Sequence, residues 1–312
     1  MAAAAGVYVE LAELLALRGQ AGDLSLRARA WARGAVSGRH ASRLRGPGLS
    51  FEELRPYWPG DDARLIDWKV TARLRRPFLR LFNEERDRAV LLLVDQRMNQ
   101  FFGSRLAFKS VVAAEAAALL GWSALDQHDR VGAILFGDHS SSELRPAGGS
   151  RAFVHMLGEL ARYNQALHAE KPGDAPERLN AVLHQAQQLA RRDHLVILLS
   201  DFYGHDVQTR DLLLGLRRHN EVLACWTHDP LLADLPLGGE LVASDGRLQM
   251  TLNLDRPALR QRALQLRDQR QREIMSWSDE LGIAVLPLSS AAAVPAQLRE
   301  LLGHHNRGRR LG

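Results

Sequence analysis

The chain is short of the residues on which several protein classes depend. It has one cysteine, Cys225, in 312 residues. That excludes an internal disulfide framework and any zinc site built from several thiolates. Its apolar runs are short as well. None reaches the roughly 20 unbroken apolar residues of a membrane helix, and Ile283 to Leu298 is interrupted by Pro287 and Pro295. There is no Asn-x-Ser/Thr sequon, no GxxxxGK[ST] phosphate loop and no G-x-S-x-G nucleophile elbow. Lysine is scarce: Lys69, Lys109 and Lys171 are three among 41 basic residues. Arginine fills surface positions everywhere, a usage that points to a GC-rich genome. The opening MAAAAGVYVELAELLAL carries Glu10 and Glu13 inside its apolar stretch and no basic leader, unlike a secretory signal. The expectation is a reduced, cytoplasmic protein with no membrane span.

What is present describes a globular chain, 46% hydrophobic and 25% charged, with a net charge of +5. The excess lies at one end. Residues 1–88 hold 16 basic and 11 acidic residues, and the remainder holds 25 of each. Arg18 to Arg45 contains seven arginines against Asp23 alone. Such a stretch reads as a basic face for nucleic acid, anionic lipid or an acidic protein, or as a solvated helix face. Aromatic residues are not interleaved with the arginines as single-strand binders require, so nucleic acid is not expected.

Hydrophobic spacing gives a short amphipathic helix over 7–18 and a second over 24–36, then a glycine-proline loop. Short extended pieces follow at 51–57 and 77–82, with a turn at Pro59–Asp62. From Ala89 the pattern alternates. Apolar runs of strand length (AVLLLVDQ, RVGAILFG, HLVILLSDF, EVLACWTHD, GIAVLPLSS) are separated by helical stretches at 105–127, 150–162, 176–191 and 209–220. SSELRPAGG reads as an edge strand. ELVASDGRLQMTL reads as a hairpin turning at Asp245-Gly246. A long helix begins near Asp255 and Pro257, with Leu259, Ala263, Leu266, Ile274, Trp277 and Leu281 as its buried stripe. The fold class is α/β, a doubly wound and mostly parallel sheet of about six strands with an N-terminal helical and short β extension.

Such sheets bind ligands beyond the carboxyl ends of their strands. The residues placed there are Asp95, Gly137, Asp138, Ser200, Asp201, His228 and Asp229. Asp95 and Asp201 suit Mg²⁺, or serve as caps and turns. Cys225 lies in mid-strand, where a buried thiol is expected rather than a nucleophile. Asp61, Asp62 and Asp67 form a second acidic cluster beside Trp68 and Lys69. It can hold a metal or act in acid-base chemistry. It can equally be a turn whose carboxylates accept backbone N–H groups and pair with Arg64, Arg73 and Arg75, with Tyr57 and Trp68 as packing or docking groups.

The stretch RGPGLSFEELRPYWPGDDARLIDWKVTARLRRPFLRLFNEERDRAVLLLVD strongly resembles the signature of the domain of unknown function 58 family. It carries Gly46, Gly48, Phe51, Leu54, Arg55, Tyr57, Pro59, Gly60, Asp61, Asp62, Arg64, Ile66, Asp67, Trp68, Ala72, Arg73, Glu85 and Arg86 in that pattern. The resemblance implies a signature segment over 46–88 packing on the main domain and a von Willebrand factor A-like domain over 89–302; spacing and composition add basic N-terminal helices over 1–45 and a flexible tail over 303–312. The resemblance also implies a metal-ion-dependent adhesion site with a D-x-S-x-S first loop. Here that loop is Asp95-Gln96-Arg97-Met98-Asn99, and the helix that would begin with Gly-Thr begins near Pro176-Glu177. Only Asp95 and Asp201 keep their character. Arg97 places a fixed charge at a ligand position, so the site is expected to be degenerate, with Arg97 bridging Asp95 and Asp201 and Mg²⁺ possible but disfavoured. No other cofactor is expected. The resemblance further implies a non-enzymatic adaptor in protein maturation or complex assembly, partnered by a MoxR-type AAA+ ATPase and binding through Tyr57, Asp61, Asp62, Arg64, Asp67, Trp68 and Arg73. The competing reading is a metal-dependent phosphoesterase using the clustered aspartates.

Overall fold

The computed structural model describes residues 6–22, 24, 26, 49–57, 66–84, 88–168, 173–232, 240–244, 249–253 and 257–307. Contacts divide the chain into two compact units, one of residues 1–37 with 88–312 and one of residues 38–87. The larger unit opens with α1 (Leu11–Ala16), started by a capping box in which Glu10 and Glu13 satisfy each other's backbone N–H. The helix expected over 7–18 is shorter than its periodicity suggests. It tightens into a 3₁₀ turn at Leu17–Gln20. The second expected helix lies almost wholly outside the described residues.

The smaller unit pairs β1 (Leu49–Pro56) antiparallel with β2 (Phe78–Glu84), with α2 (Trp68–Leu74) between them. Asp67 caps α2, its carboxylate accepting from the amides of Lys69 (3.0 Å) and Val70 (3.2 Å). The helix ends at Arg75, which takes the left-handed conformation at φ 54°.

The larger unit resumes with β3 (Ala89–Asp95), α3 (Lys109–Asp126), β4 (Arg130–Phe136), β5 (Ser141–Ala147), α4 (Ser150–Gln165), α5 (Arg178–Leu189), β6 (His194–Ser200), α6 (Val207–Arg217) and β7 (Glu221–His228). β8 (Glu240–Ser244) and β9 (Gln249–Asn253) form the expected antiparallel pair; the Asp245-Gly246 turn lies outside the described residues. α7 (Pro257–Glu280), β10 (Ala284–Ser289) and α8 (Val294–Arg307) complete the order. Ile274 and Trp277 of α7 are buried, as is Leu281 just past its end, but Leu266 is 60% exposed, so the expected stripe is broken there.

The main sheet runs β10-β7-β6-β3-β4-β5, parallel except for the antiparallel edge strand β5. All seven residues of β3 are buried. Val90, Leu92 and Val94 face the α1, α3, α4 and α8 side, and Leu91 and Leu93 face the α5, α6 and α7 side. Burial on both faces explains why the strand reads as a continuous apolar run. Each of those leucines contributes roughly 1.5–3 kcal/mol. α3 is buried around nearly its whole circumference. Its AAEAAA stretch supplies the small side chains that let it lie close between the sheet and the helices above it. The N-terminal segment covers α3, with the Trp122 indole donating to the Leu14 carbonyl (3.2 Å) and the Ser123 hydroxyl to Leu24 (2.6 Å).

Candidate functional site

β3 is flanked by β4 on one side and β6 on the other. The chain passes from β3 through α3 to β4 and later returns to the opposite side of β3. This reversal opens a crevice at the carboxyl ends of β3 and β6. In that register Val94 lies beside Leu199, so Asp95 and Ser200 are neighbours as soon as the apolar runs end.

Asp95 and Arg97 are both fully buried. The guanidinium engages the carboxylate in bidentate fashion, Nε to Oδ1 at 3.0 Å and Nη2 to Oδ2 at 2.7 Å. The Arg97 backbone amide adds a third bond to Oδ1 at 3.0 Å, and the Ser200 hydroxyl a fourth to Oδ2 at 2.6 Å. Two further guanidinium donors reach the carbonyls of Ala175 (3.0 Å, from Nη1) and Tyr203 (3.1 Å, from Nη2). Burial would lower the Arg97 pKa, but Asp95 outweighs it and raises the value above the ordinary one.

Asp201 is held separately. Its carboxylate accepts from the Lys109 ammonium (2.6 Å), the Asn99 amide (2.7 Å) and the Tyr203 backbone N–H (2.9 Å). Arg270 lies 3.9 Å from the same carboxylate and donates to the Asp201 carbonyl at 2.9 Å. Burial pushes the Asp201 pKa up, yet Lys109 and Arg270 prevail and hold it below the usual carboxylate range. The expected bridge from Arg97 to Asp201 is therefore corrected. Arg97 directs its donors to Asp95 and two carbonyls, while Lys109 neutralises Asp201.

The neighbouring strand ends follow the same rule. Asp138 accepts from the Met98 amide (2.7 Å). Asp229 accepts from the amides of Ser104 and Leu231, each at 2.8 Å, and from the Ser290 hydroxyl. His228 stacks on Trp226, and burial holds its imidazole below the ordinary value. Cys225 is buried in mid-strand, its thiol pushed up to about 12 by that burial.

The residues present do not fit a divalent cation. Both oxygens of Asp95 are covered by Arg97, and Asp201 is covered by Lys109 and Asn99. A guanidinium and an ammonium already neutralise the two carboxylates. Among the described residues, no group of three His, Cys, Asp or Glu side chains converges as a metal set.

The structure thus brings Asp95, Arg97, Asn99 and Asp201 together with Ser200 and Lys109. Asp61, Asp62 and Arg64 lie outside the described residues. Asp67 caps a helix, Tyr57 is half-buried with its amide on the Pro77 carbonyl (2.9 Å), Arg73 is exposed, and Trp68 is 69% exposed. Lys109 escaped the sequence reading as the counter-charge of Asp201, and Ser200, though placed at the strand end, was not read as a donor to Asp95.

Several comparisons bear on this chain. It is 32% identical over 213 residues to the uncharacterized proteins Rv1480 of Mycobacterium tuberculosis and Mb1516 of Mycobacterium bovis. The match covers 68% of this chain and 65% of each relative, so it spans a little under two thirds of their length. Among solved structures, an aerotolerance-related membrane protein from Bacteroides fragilis matches 70% of this chain and 99% of its own at 11% identity and a TM-score of 0.42. The SpRpn10 VWA domain matches 68% and 93% at 12% identity and a TM-score of 0.38. A family model matches residues 53–273. By that match the chain belongs to the family described as protein of unknown function DUF58.

Proposed function

We propose that this protein is a non-enzymatic adaptor of von Willebrand factor A-like type that grips a protein partner with the carboxyl-end face of its main sheet. The observation that carries the reading is the closed electrostatics of Asp95 and Asp201. A catalytic carboxylate needs a free oxygen or a displaceable ligand, and here both groups are saturated by donors of the same chain. Around them, Phe102 (45% exposed), Leu106 (55%) and Tyr203 (37%) present apolar surface to solvent, the type of residue that anchors interfaces. The partner in this reading is a MoxR-type AAA+ ATPase. The smaller unit, with its exposed Trp68, offers a second contact together with Tyr57, Asp61, Asp62, Arg64, Asp67 and Arg73.

The test is a pull-down of a MoxR-type AAA+ ATPase from the same genome. Wild type is expected to retain it. A Phe102→Ser/Leu106→Ser variant and an Asp61/Asp62/Trp68→Ala variant, each of unchanged thermal stability, are expected to lose it. Equal retention by wild type and the first variant removes the sheet-end face from the reading; equal retention by the second removes the signature segment. Among the described residues, no helix is long and apolar enough to cross a membrane.

A further inference from the structure

The charges at the strand ends are sorted by depth. The buried acids are consumed inside the fold: Asp95 by Arg97 and Ser200, Asp201 by Lys109, Asn99 and Tyr203, and the partly buried Asp138 and Asp229 by backbone amides of the loop 98–104. The cations that reach solvent are not consumed to the same degree. Lys109 has three donors and gives one to Asp201, with 13% of its side chain exposed. The Arg270 side chain is 37% exposed, gives one donor to the Asp201 carbonyl, lies 3.9 Å from the Asp201 carboxylate without a hydrogen bond to it, and sits 5.9 Å over the ring of Tyr203. Two exposed carboxylates lie nearby: Asp174 accepts from the Tyr203 hydroxyl at 3.2 Å, and Glu273, one turn along α7 from Arg270, lies 3.4 Å from the His205 imidazole.

These cations are bordered by apolar surface. The Lys109 amide donates to the Phe102 carbonyl at 2.8 Å, which ties the exposed Phe102 to the start of α3. The same loop carries exposed Leu106 and is anchored at its far end, where the Ala107 amide donates to the Ser290 carbonyl. Tyr203 adjoins Asp201 through its backbone amide. The amino end of α3, an 18-residue helix starting at Lys109, adds positive potential in the same place.

We infer that this face, taken as the interaction face proposed above, accepts an acidic side chain of a protein partner flanked by apolar residues. The partner's carboxylate meets Arg270 and Lys109, and its apolar neighbours cover Phe102, Leu106 and Tyr203. No metal ion takes part in the contact.

The probe is a displayed random-peptide library selected on the immobilised full chain, followed by anisotropy titrations of the enriched peptides. Enriched sequences are expected to share an Asp or Glu beside aliphatic or aromatic residues. They are expected to bind Arg270→Glu about tenfold more weakly and to bind Phe102→Ser/Leu106→Ser more weakly still. Arg218→Glu, at the opposite end of the sheet, is expected to bind as wild type does. A peptide with Lys in place of its acid is expected to recover binding to Arg270→Glu. Enriched peptides without an acid, equal affinity for wild type and Arg270→Glu, or no enrichment at all would each overturn the inference. So would capture of a labelled oligonucleotide in place of acidic peptides. The ATPase pull-down on the same variants separates the two readings. If the ATPase binds wild type and Arg270→Glu alike, the acidic contact fails and the adaptor role stands. If the ATPase never binds while the peptides behave as expected, the named partner fails and the acidic-apolar preference stands.

Discussion

A guanidinium with no exposed surface has to be matched bond for bond, because an uncompensated buried charge costs several kcal/mol. Arg97 places four of its five donors, two on Asp95 and two on carbonyls. Arg97→Ala is expected to cost about 3–5 kcal/mol, since it leaves Asp95 buried with its main partner gone; urea unfolding measures it. Arg97→Lys is not expected to restore stability, because an ammonium cannot reproduce the planar fork. The wild-type midpoint of thermal unfolding is expected to be the same in EDTA and in excess Mg²⁺; a rise with Mg²⁺ would contradict the misfit described above. At this scale the site was half legible. Asp95 and Asp201 stand at the ends of apolar runs, and Arg97 and Asn99 follow at short spacing. Lys109 and Asp201 are 92 positions apart, and local spacing carries no record of which charge closes on which.

Elements were more legible than their contacts. The continuous apolar runs became β3, β4, β6 and β7 because a strand buried on both faces cannot alternate. The helix read from residue 105 begins at Lys109 instead. Residues 104–108 before it belong to the loop that links the Asp201 and Asp229 sides of the face, tied down by the Ala107 and Ser104 amides. Gly121 within α3 had no signal in the sequence. A Cβ there would lie 2.2 Å from the Phe153 ring, which is itself buried edge-on against Trp122 at 4.8 Å. Gly121→Ala therefore opposes two effects. Helix propensity favours alanine by about 1 kcal/mol, and overpacking of a closed core costs about 1–3 kcal/mol. The clash is expected to prevail, with a net loss of stability in denaturant unfolding; a stabilised variant would mean that Phe153 has room to move.

At the scale of the whole molecule, stability should vary with pH in two opposed ways. Asp201 is held below the usual carboxylate range by Lys109 and Arg270. Its contribution is complete above the unfolded-state value near 4 and is lost as pH falls through the lower folded-state value. Glu115 behaves oppositely. Burial in α3, with Glu13 of the N-terminal segment adding repulsion, raises it to about 6. The folded protein then binds more protons than the unfolded chain between about 4.5 and 6, so stability falls as pH rises through that window. Glu115→Gln is expected to flatten this slope and to add about 1 kcal/mol at pH 7.5, after discounting for partial exposure; unfolding curves across pH 4.5–7.5 measure it. An unchanged slope would assign the drift to other groups. The chain-level charge count gave no hint of this pair, because Glu13 and Glu115 meet only once the N-terminal segment covers α3.

The lone thiol has a practical corollary. With its proton held to strongly alkaline conditions inside the sheet, Cys225 is silent toward maleimide dyes while the fold is intact. A second cysteine engineered at Phe102 or Trp68 becomes the sole labelling handle without first removing the native one. Fluorophores placed there can follow a docking event at either surface in real time, and the native sulfur, once it reacts, reports that the sheet has come apart.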